Sequence, residues 1–425
     1  MTTPVDLDHG RGAKGLTALV LGGGGARGAY QVGVVRAISR HYPELRLPIL
    51  TGISSGAINA AYLAAHTGNL DSAATDMANL WLSLTPERVF EVGAGTLTRN
   101  VMRWAWRLIS GGFSEAKEPT RGLVDTKPLF KLLGEVLPTV SGSIPGIDDN
   151  IASGRLRAVA LSATSYATGQ SVTWVQGNDV KLWQRPQRRG EFGRITATHV
   201  MASSALPLLF PAVQVDGEWY GDGGIRFTAP LSPALHLGAE KILTISTRYR
   251  RATPEPDQPQ AADYPSPAQV LGVLYNAIFL DVVDQDILRL ELINRVLAEV
   301  PAARRDGLRP IQMLVLRPSQ DLGAMSEHYE PRLPKAFRFL TRGLGTRRTT
   351  NADVLSLVMF QRDYVQAVID LGERDAESRM DEISEFLYAP AVAAQDQSAD
   401  GYVSGNSPAS QTEPRSSGST ARVES

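Results

Sequence analysis

The seven residues Thr51-Gly52-Ile53-Ser54-Ser55-Gly56-Ala57 decide the fold and the chemistry that we predict for this chain. A short apolar run at residues 47–50 precedes them, and a helix-forming segment at residues 57–65 follows. A strand, a tight turn and a helix form the context in which the pattern G-x-S-x-G indicates a nucleophile elbow. Because such a turn is sterically crowded, the residues beside the serine must be small, and Gly52 and Gly56 meet that requirement. We therefore predict that Ser54 is a catalytic nucleophile.

A second glycine-rich loop lies near the N-terminus, between a strand predicted at residues 16–21 and a helix predicted at residues 29–40. Its glycines leave backbone N–H groups pointing at a ligand, beside a helix N-terminus that favours negative charge. Such a loop can hold a phosphate or a developing oxyanion. We predict an oxyanion hole, formed by Gly23, Gly24, Gly25, Arg27 and Gly28.

The spacing of these glycines also matches the fingerprint of dinucleotide-binding proteins. That fingerprint needs an acidic residue at the end of the second strand to bind the ribose, whereas here the second strand leads directly into Ser54. A Walker loop is excluded, because no Gly-Lys-Ser/Thr follows the glycines. A nucleotide-binding oxidoreductase is therefore the weaker alternative.

A third pattern provides a base for the serine. Asp216-Gly217 between two short β-prone runs predicts a tight hairpin, and its second strand ends in Asp222-Gly223-Gly224. An aspartate presented in this way can face a ligand, although an Asp-Gly pair often only forms a turn. A serine nucleophile needs a base, and none of the six histidines lies in a glycine-flanked loop at a strand end. We therefore predict a dyad of Ser54 and Asp222.

The bulk composition is that of an ordinary globular protein of 425 residues, of which 43% are hydrophobic and 20% charged. A net charge of -1 gives no indication of a nucleic-acid partner. The absence of cysteine excludes disulfides, thiol catalysis and cysteine-based zinc sites. Three aspartates of one predicted helix lack the spacing of a metal motif, so we predict no metal site; they are Asp281, Asp284 and Asp286.

The sequence also bears on localisation. The first 14 residues include Asp6 and Asp8 and contain no apolar stretch, so we expect no signal peptide. No stretch reaches the length of about 18–20 apolar residues that spans a membrane. These features predict a cytoplasmic protein, either soluble or peripherally bound to a membrane.

An irregular stretch at about residues 85–121 is predicted to be a lid-like insertion over the sheet. Within it, Arg103 and Arg107 lie four residues apart, with Trp104 and Trp106 beside them. Tryptophans next to an arginine stripe suit a helix lying at a membrane surface. Most amphipathic helices face a protein core instead. We therefore favour a lid helix packed on its own domain, with peripheral membrane contact as the alternative.

The remaining composition shifts and periodicities divide the chain. Within the C-terminal part, apolar periodicity predicts a strand at residues 311–316 and helices at residues 353–371 and 375–388. The predicted division is a flexible N-terminus at residues 1–15, a catalytic core at 16–250, a Pro-rich connection at 251–267, a mostly helical part packed on the core at 268–389, and a disordered tail at 390–425.

Three motifs in the same order resemble patatin-like phospholipases. They are Gly23-Gly24-Gly25-Ala26-Arg27-Gly28, Gly52-Ile53-Ser54-Ser55-Gly56 and Asp222-Gly223-Gly224. The segment Ala202-Ser203-Ser204-Ala205-Leu206-Pro207 resembles the stretch that precedes the aspartate in that family. The resemblance covers about residues 16–246. Because three motifs occur in order, it is far more specific than any one of them.

The resemblance implies an α/β fold, a three-layer α/β/α sandwich around a mainly parallel central sheet, to which this chain adds a helical C-terminal extension. It implies hydrolysis of lipid acyl esters, such as those of phospholipids or lysophospholipids, without a metal or other cofactor. Ser54 would be the nucleophile and Asp222 its base, with the glycine loop as the oxyanion hole and with Gly52, Gly56, Gly223 and Gly224 supporting the motifs. A non-enzymatic scaffold that keeps this fold and binds a membrane or a protein partner is the remaining alternative.

Overall fold

The structure is a computed structural model that describes residues 15–91, 122–249, 270–333 (apart from 271, 276 and 278–280) and 353–390. Several predicted segments lie outside the described residues: nearly all of the N-terminus and of the C-terminal tail, most of the lid-like insertion, and the Pro-rich connection. Trp104, Trp106, Arg103 and Arg107 are among the residues that are not described.

A ten-stranded sheet lies at the centre of the described part of the chain. Its strands are β1 (Thr17–Leu21), β2 (Ile49–Ile53), β3 (Ala158–Ser165), β4 (Ser171–Gly177), β5 (Gln184–Arg185), β6 (Arg188–Phe192), β7 (Val213–Val215), β8 (Glu218–Asp222), β9 (Lys241–Ile245) and β10 (Gln312–Leu316). Five of them run parallel in the order β10-β9-β1-β2-β3. β4 is antiparallel to β3, and β8 is antiparallel to both β3 and β7. The sheet is therefore mainly parallel, with a mixed edge.

Thirteen α-helices are assigned in the described residues. They are α1 (Ala29–His41), α2 (Ser55–Ala65), α3 (Leu70–Leu82), α4 (Pro86–Val89), α5 (Lys127–Val136), α6 (Pro145–Ala152), α7 (Ala197–Ser203), α8 (Ser232–His236), α9 (Asp281–Glu299), α10 (Leu322–Glu327), α11 (Asp353–Val358), α12 (Arg362–Glu377) and α13 (Met380–Tyr388). Short 3-10 turns at Gly25–Gly28 and Gly223–Ile225 follow β1 and β8. Both turns lie at the carboxyl ends of their strands, where ligands bind in open α/β sheets.

The side chains of β1 show how the sheet separates two hydrophobic layers, because successive residues of a strand point to opposite faces. Leu19 and Leu21 pack in one core with residues of α1, α2, α3 and α12. Ala18 and Val20 pack in a second core with residues of α8 and α9. Burial on both faces is typical of parallel strands covered by helices. The predicted three-layer α/β/α sandwich is confirmed.

The C-terminal part of the chain is continuous with this sandwich. β10 adds a parallel edge strand beside β9, and α12 buries Val365 and Ile369 in the core that also contains Tyr30 of α1. The helix predicted without a break at residues 353–371 is wrong, because α11 ends at Val358 and α12 begins at Arg362. The next helix begins at residue 380 and not at residue 375. At the break, residues 359–361, the chain turns towards the candidate active site.

Candidate active site

The register of two strands brings Ser54 and Asp222 together. β2 runs parallel to the first half of β3 and ends with Ile53 opposite Ser162. β8 runs antiparallel to the last residues of β3 and ends with Asp222 opposite Ala163. The two strands therefore lie end to end along one side of β3 and point at each other. Ser54, the residue after β2, meets Asp222 where their carboxyl ends converge.

The backbone of Ser54 has the strain that a nucleophile elbow requires. Its φ is 56° and its ψ is -127°, a region that residues other than glycine rarely adopt. A Cβ on Gly52 would lie 2.3 Å from the carbonyl oxygen of Gly56, and a Cβ on Gly56 would lie 2.1 Å from that of Leu21. Helix α2 begins at Ser55, directly after the turn. The predicted strand, tight turn and helix are therefore present around Ser54.

Two consecutive serines, Ser203 and Ser204, clamp the backbone of Ser54 in this conformation. The N–H of Ser54 donates to Oγ of Ser203 at 3.0 Å, and the Ser204 hydroxyl donates to the carbonyl oxygen of Ser54 at 3.0 Å. The Ser203 hydroxyl donates in turn to the carbonyl oxygen of Ser162 on β3 at 2.6 Å. Both serines are buried. The family resemblance marked their stretch, residues 202–207, but no pattern in the sequence indicates these hydrogen bonds.

Replacing Ser203 with alanine is expected to slow ester hydrolysis more than it weakens substrate binding. The variant leaves the N–H of Ser54 and the carbonyl of Ser162 without this partner, and an unsatisfied buried group costs about 1–3 kcal/mol. A displacement of about 1 Å at a reacting group can lower a rate roughly 100-fold. We expect kcat to fall about 10- to 100-fold with KM nearly unchanged, as measured with a p-nitrophenyl ester at a temperature where the variant is folded.

Ser39→Ala is the matched control for this clamp. Ser39 is also fully buried, and its hydroxyl donates to the carbonyl oxygen of Arg36 at 2.9 Å. It lies in the last turn of α1, far along the helix from the glycine loop. Equal kcat values for Ser203→Ala and Ser39→Ala would show that the clamp does not position the nucleophile.

Asp222 is fully buried and only partly satisfied. Its Oδ1 accepts a hydrogen bond from the N–H of Gly224 at 2.9 Å, and its carbonyl oxygen accepts one from the Thr164 hydroxyl at 2.9 Å. Its Oδ2 has no hydrogen-bond partner among the described residues. A Cβ on Gly223 would lie 2.2 Å from the carbonyl oxygen of Ser162, so only glycine fits next to the aspartate. One carboxylate oxygen is thus left to accept a proton.

Burial raises the pKa of Asp222 to about 7, although the Ser54 hydroxyl and the Gly224 N–H both lower it. Ser54 is thus close enough to act on the carboxyl, yet no hydrogen bond joins these two side chains in this structure. Catalytic hydrogen bonds are often long or poorly aligned before substrate binds and tighten in the complex. A carboxyl group that titrates near neutral pH is suited to take up and return a proton.

The glycine loop lies directly against Ser54. A Cβ on Gly23 would be 3.1 Å from Cβ of Ser54. Gly25 has a φ of 54°, and a Cβ there would lie 2.1 Å from the carbonyl oxygen of Leu357, so this position requires glycine. The Thr247 hydroxyl donates to the carbonyl oxygen of Gly23 at 2.7 Å. The N–H of Gly24 points the other way from that carbonyl, because the peptide between them is planar and trans.

Through its side chain, Arg27 joins the glycine loop to the C-terminal part of the chain. Its side chain is buried, and its Nε donates to Oγ of Ser356 in α11 at 2.7 Å. Its backbone N–H donates to the carbonyl oxygen of Gly24 at 3.1 Å, within the turn that ends at Gly28. Ser356 lies far from the three sequence motifs, and nothing in the sequence indicates this contact.

An apolar pocket opens beside Ser54. Its walls come from α2, α3, α4, α5, the loop after α7, the end of α11 and the segment after α11. The side chains that line it include Ile58, Trp81, Leu129, Leu133, Leu206, Phe210, Leu357 and Phe360. A pocket of this chemistry next to a nucleophile suits a hydrocarbon chain. Leu357 and Phe360 show that the end of α11 and the break after it contribute to the pocket.

Four of the five histidines in the described residues have partners elsewhere, and His41 pairs with Glu377 and His66 with Asp76. His199 caps the start of α7 by hydrogen bonding with Thr196, and burial lowers its pKa to about 4. His236 stacks on Trp183 with ring centroids 4.6 Å apart. Within the described ranges, no three ligating side chains lie close enough together to hold a metal ion. Asp284 pairs with Arg248 and Arg317, and Asp286 accepts a hydrogen bond from the N–H of Leu231.

The described helices bear on whether the chain crosses a membrane. None of them combines the length and the apolar character needed to cross a bilayer. The tryptophan and arginine residues of the lid-like insertion lie outside the described ranges, so their predicted packing stays a prediction.

Residues 19–235, just over half of the chain, match the patatin-like phospholipase family. The chain therefore belongs to this family, and its membership supports a lipid hydrolase function. The order of the three motifs had indicated the same family. No curated protein matches the chain.

Several solved structures are similar to the chain at low identity. Human GIVD cytosolic phospholipase A2 is 12% identical, with a TM-score of 0.43 over 91% of this chain and 61% of that one. VipD from Legionella pneumophila is 14% identical, with a TM-score of 0.29 over 84% of this chain and 67% of that one. The chain thus spans about three fifths of the length of the human phospholipase chain. Likenesses this weak indicate no substrate.

Proposed function

We propose that the protein is a serine esterase that cleaves carboxylic ester bonds of phospholipids or lysophospholipids through a dyad of Ser54 and Asp222. The observation that carries the proposal is the end-to-end meeting of β2 and β8 along β3. It places a strained serine next to a buried carboxyl group whose pKa is about 7. The membership of the chain in a lipid hydrolase family supports the same reaction.

The first half of the proposed reaction forms an acyl-enzyme. The Asp222 carboxylate takes the proton of the Ser54 hydroxyl as the hydroxyl oxygen attacks the ester carbonyl carbon. The carbonyl oxygen becomes an oxyanion, which the N–H groups of Gly23 and Gly24 stabilise. One such donor is typically worth about 2.7–4 kcal/mol. Asp222 then returns its proton to the leaving alcohol or lysolipid as the tetrahedral intermediate collapses.

The second half of the reaction releases the fatty acid. Asp222 takes a proton from water, and the hydroxide attacks the acyl carbon of the ester on Ser54. The second tetrahedral intermediate collapses, and the proton returns to Oγ of Ser54. Since no histidine relays the proton, one carboxyl group must act as base and acid in turn.

The apolar pocket supplies the preference for lipids. Burial of a hydrocarbon chain is favourable by about 0.8 kcal/mol for each CH₂ group. A pocket wall made of leucine, phenylalanine and tryptophan side chains holds the acyl chain while its ester carbon lies at Ser54. The substrate test is to incubate the protein with phospholipids, lysolipids and triglycerides and to identify the released products by mass. Release of no fatty acid from any of them would contradict the proposal.

The rate of hydrolysis is expected to rise with pH and to reach half of its maximum near pH 7. Asp222 acts as a base only when it is deprotonated, and its pKa is raised to about 7. Below that pH, kcat/KM should therefore fall about tenfold for each pH unit, because it reports the ionisation of the free enzyme. Initial rates with a soluble p-nitrophenyl ester from pH 5 to pH 9 give this profile. A flat profile between pH 5 and pH 7 would exclude Asp222 as the base.

A further inference from the structure

Three buried polar side chains lie behind the glycine loop, and the proposed reaction steps do not use them. They are Gln31 of α1, Asn59 of α2 and Trp81 of α3, each at most 2% exposed. A buried polar group is costly unless it is hydrogen-bonded. Here both N–H donors and the oxygen of each amide have a partner, so the group forms a satisfied network.

The tryptophan determines which group donates and which accepts in each hydrogen bond of this network. An indole N–H can only donate, and Trp81 Nε1 donates to Oδ1 of Asn59 at 2.8 Å. Nδ2 of Asn59 must therefore face the other way, and it donates to Oε1 of Gln31 at 2.9 Å. Nε2 of Gln31 is then left to donate to the carbonyl oxygen of Gly22 at 2.7 Å.

The network holds the glycine loop at both of its ends. Gln31 binds the carbonyl of Gly22, where the loop leaves β1, and Asn59 Nδ2 also donates to the carbonyl oxygen of Gly28 at 3.2 Å, where α1 begins. Between them, Thr247 binds the carbonyl of Gly23. Backbone carbonyls along the loop thus accept hydrogen bonds from fixed side-chain donors.

Holding these carbonyls also fixes the direction of two N–H groups. In a trans peptide the carbonyl and the N–H point in opposite directions. The bond from Gln31 to the Gly22 carbonyl therefore aims the N–H of Gly23 away from Gln31. The bond from Thr247 to the Gly23 carbonyl does the same for the N–H of Gly24. These are two of the N–H groups assigned to the oxyanion hole.

We propose that Gln31, Asn59 and Trp81 are positioning residues that orient the oxyanion donors, with the Trp81 N–H setting the direction of the whole network. The inference rests on the proposed function of Ser54 and the glycine loop. Trp81 also lines the apolar pocket beside Ser54. The same residue thus forms the wall for the acyl chain and ends the network that shapes the oxyanion hole.

The test compares two buried asparagines, Asn59 within α2 and Asn150 of α6, which binds the C-terminal end of α2. Asn59→Leu removes the donors to Gly28 and Gln31. Asn150→Leu is the matched control, because Nδ2 of Asn150 also donates to two carbonyl oxygens, those of Ala64 at 2.8 Å and His66 at 2.9 Å, and the residue is 5% exposed. Both variants lose buried hydrogen bonds, but only the first one touches the glycine loop.

We expect kcat of Asn59→Leu to fall at least about 30-fold, within the range for loss of an oxyanion donor or of alignment. KM and the pH midpoint set by Asp222 should change little, and Asn150→Leu should keep its kcat within about twofold of the parent. Amide hydrogen exchange of the peptide with residues 22–28 should be faster in Asn59→Leu and unchanged in Asn150→Leu. Equal kcat values or equal exchange in the two variants would overturn the proposal.

A milder variant covers the case in which Asn59→Leu does not fold. Trp81→Phe keeps an aromatic ring in the pocket but replaces the indole with a smaller ring that has no N–H, and it should lower kcat and speed exchange at residues 22–28 in the same direction. An unchanged kcat together with unchanged exchange would refute the network. Ser54→Ala is measured alongside. If the parent shows no hydrolysis that depends on Ser54, the proposed function fails, and the exchange comparison still decides on the network.

Discussion

Replacing Ser54 with alanine is expected to abolish the release of fatty acid from every lipid that the protein hydrolyses. The variant lacks the oxygen that forms the acyl-enzyme, while the glycine loop and the apolar pocket stay in place. Loss of the nucleophile in a serine protease lowers kcat by about 10⁶-fold, so turnover should fall by at least about 10⁴-fold. The measurement is fatty acid released from phospholipid or lysolipid, quantified by mass.

Ser171→Ala is the control for this result. Ser171 is buried on β4, and its hydroxyl has no hydrogen-bond partner among the described residues. The Ser171→Ala variant therefore also loses a buried serine hydroxyl oxygen, but on the side of β3 opposite to β2. Hydrolysis by Ser54→Ala at the rate of Ser171→Ala would show that the protein uses another nucleophile, or that it is not a serine esterase.

Replacing Asp222 with asparagine should remove activity and raise stability at the same time. An asparagine oxygen can still accept the hydrogen bond from Gly224, so the local structure is kept, but an amide cannot take the proton of Ser54. We expect kcat/KM to fall by about 10³-fold or more, somewhat beyond the range of general-base contributions. The control for folding is circular dichroism of the same preparation.

The stability change has a sign that follows from the pKa. The pKa of Asp222 is raised from 3.8 to about 7 in the folded protein, so between these pH values the folded state binds a proton that the unfolded state has lost. Stability of the parent therefore decreases as the pH rises from 4 to 7 and then levels off. Each pKa unit corresponds to about 1.4 kcal/mol, so the buried carboxylate costs at most a few kcal/mol.

The asparagine variant carries no such cost, so its Tm should exceed that of the parent at pH 8, and the difference should vanish near pH 4. Thermal unfolding at the two pH values measures this. A Tm of Asp222→Asn below that of the parent at pH 8 would mean that Asp222 is held as a stabilised carboxylate. A group of that kind makes a poor base near neutral pH.

The sequence predicts the individual parts of this site, but not the strand arrangement that brings them together. The glycine spacing around Ser54 and the Asp-Gly turn before Asp222 both act through local backbone geometry, which short patterns express well. That β2 and β8 point at each other depends on the register of both strands on β3. Register over a separation of more than 160 residues leaves no local pattern, so before the structure the two residues were joined only by the exclusion of the histidines and by the family resemblance.

The contribution of the C-terminal part of the chain to the site was also not predicted from the sequence. Apolar periodicity runs from residue 353 to residue 371 without glycine or proline, so a local pattern predicts one helix. In the structure the helix is interrupted: Leu357 of α11 lies against Gly25, and Phe360, in the break, lines the apolar pocket. Ser356 and Leu357 lie beyond the residues that match the family. Residues outside the part of the chain that matches the family therefore contact the glycine loop and line the apolar pocket.

The buried hydrogen bonds at the site were also not predicted from the sequence. The helix positions concerned are those of Ser203, Gln31 and Asn59. A sequence pattern assigns each position to the core face or to the polar face of its helix, but it does not identify the hydrogen-bond partner of the side chain. Their partners are backbone groups of Ser54 and of the glycine loop. A side chain that binds a distant backbone atom has no characteristic neighbour in the sequence. Coordinates were needed to find these residues.

The most direct test of the central claim, that Ser54 is activated by Asp222, is covalent labelling with a fluorophosphonate followed by mass analysis of the labelled peptide. We predict one modified residue, Ser54, with a labelling rate that rises between pH 6 and pH 8 as Asp222 loses its proton. In Asp222→Asn the labelling should be at least about 100-fold slower. Modification of a different residue, or equally fast labelling of Ser54 in the folded asparagine variant, would contradict the claim.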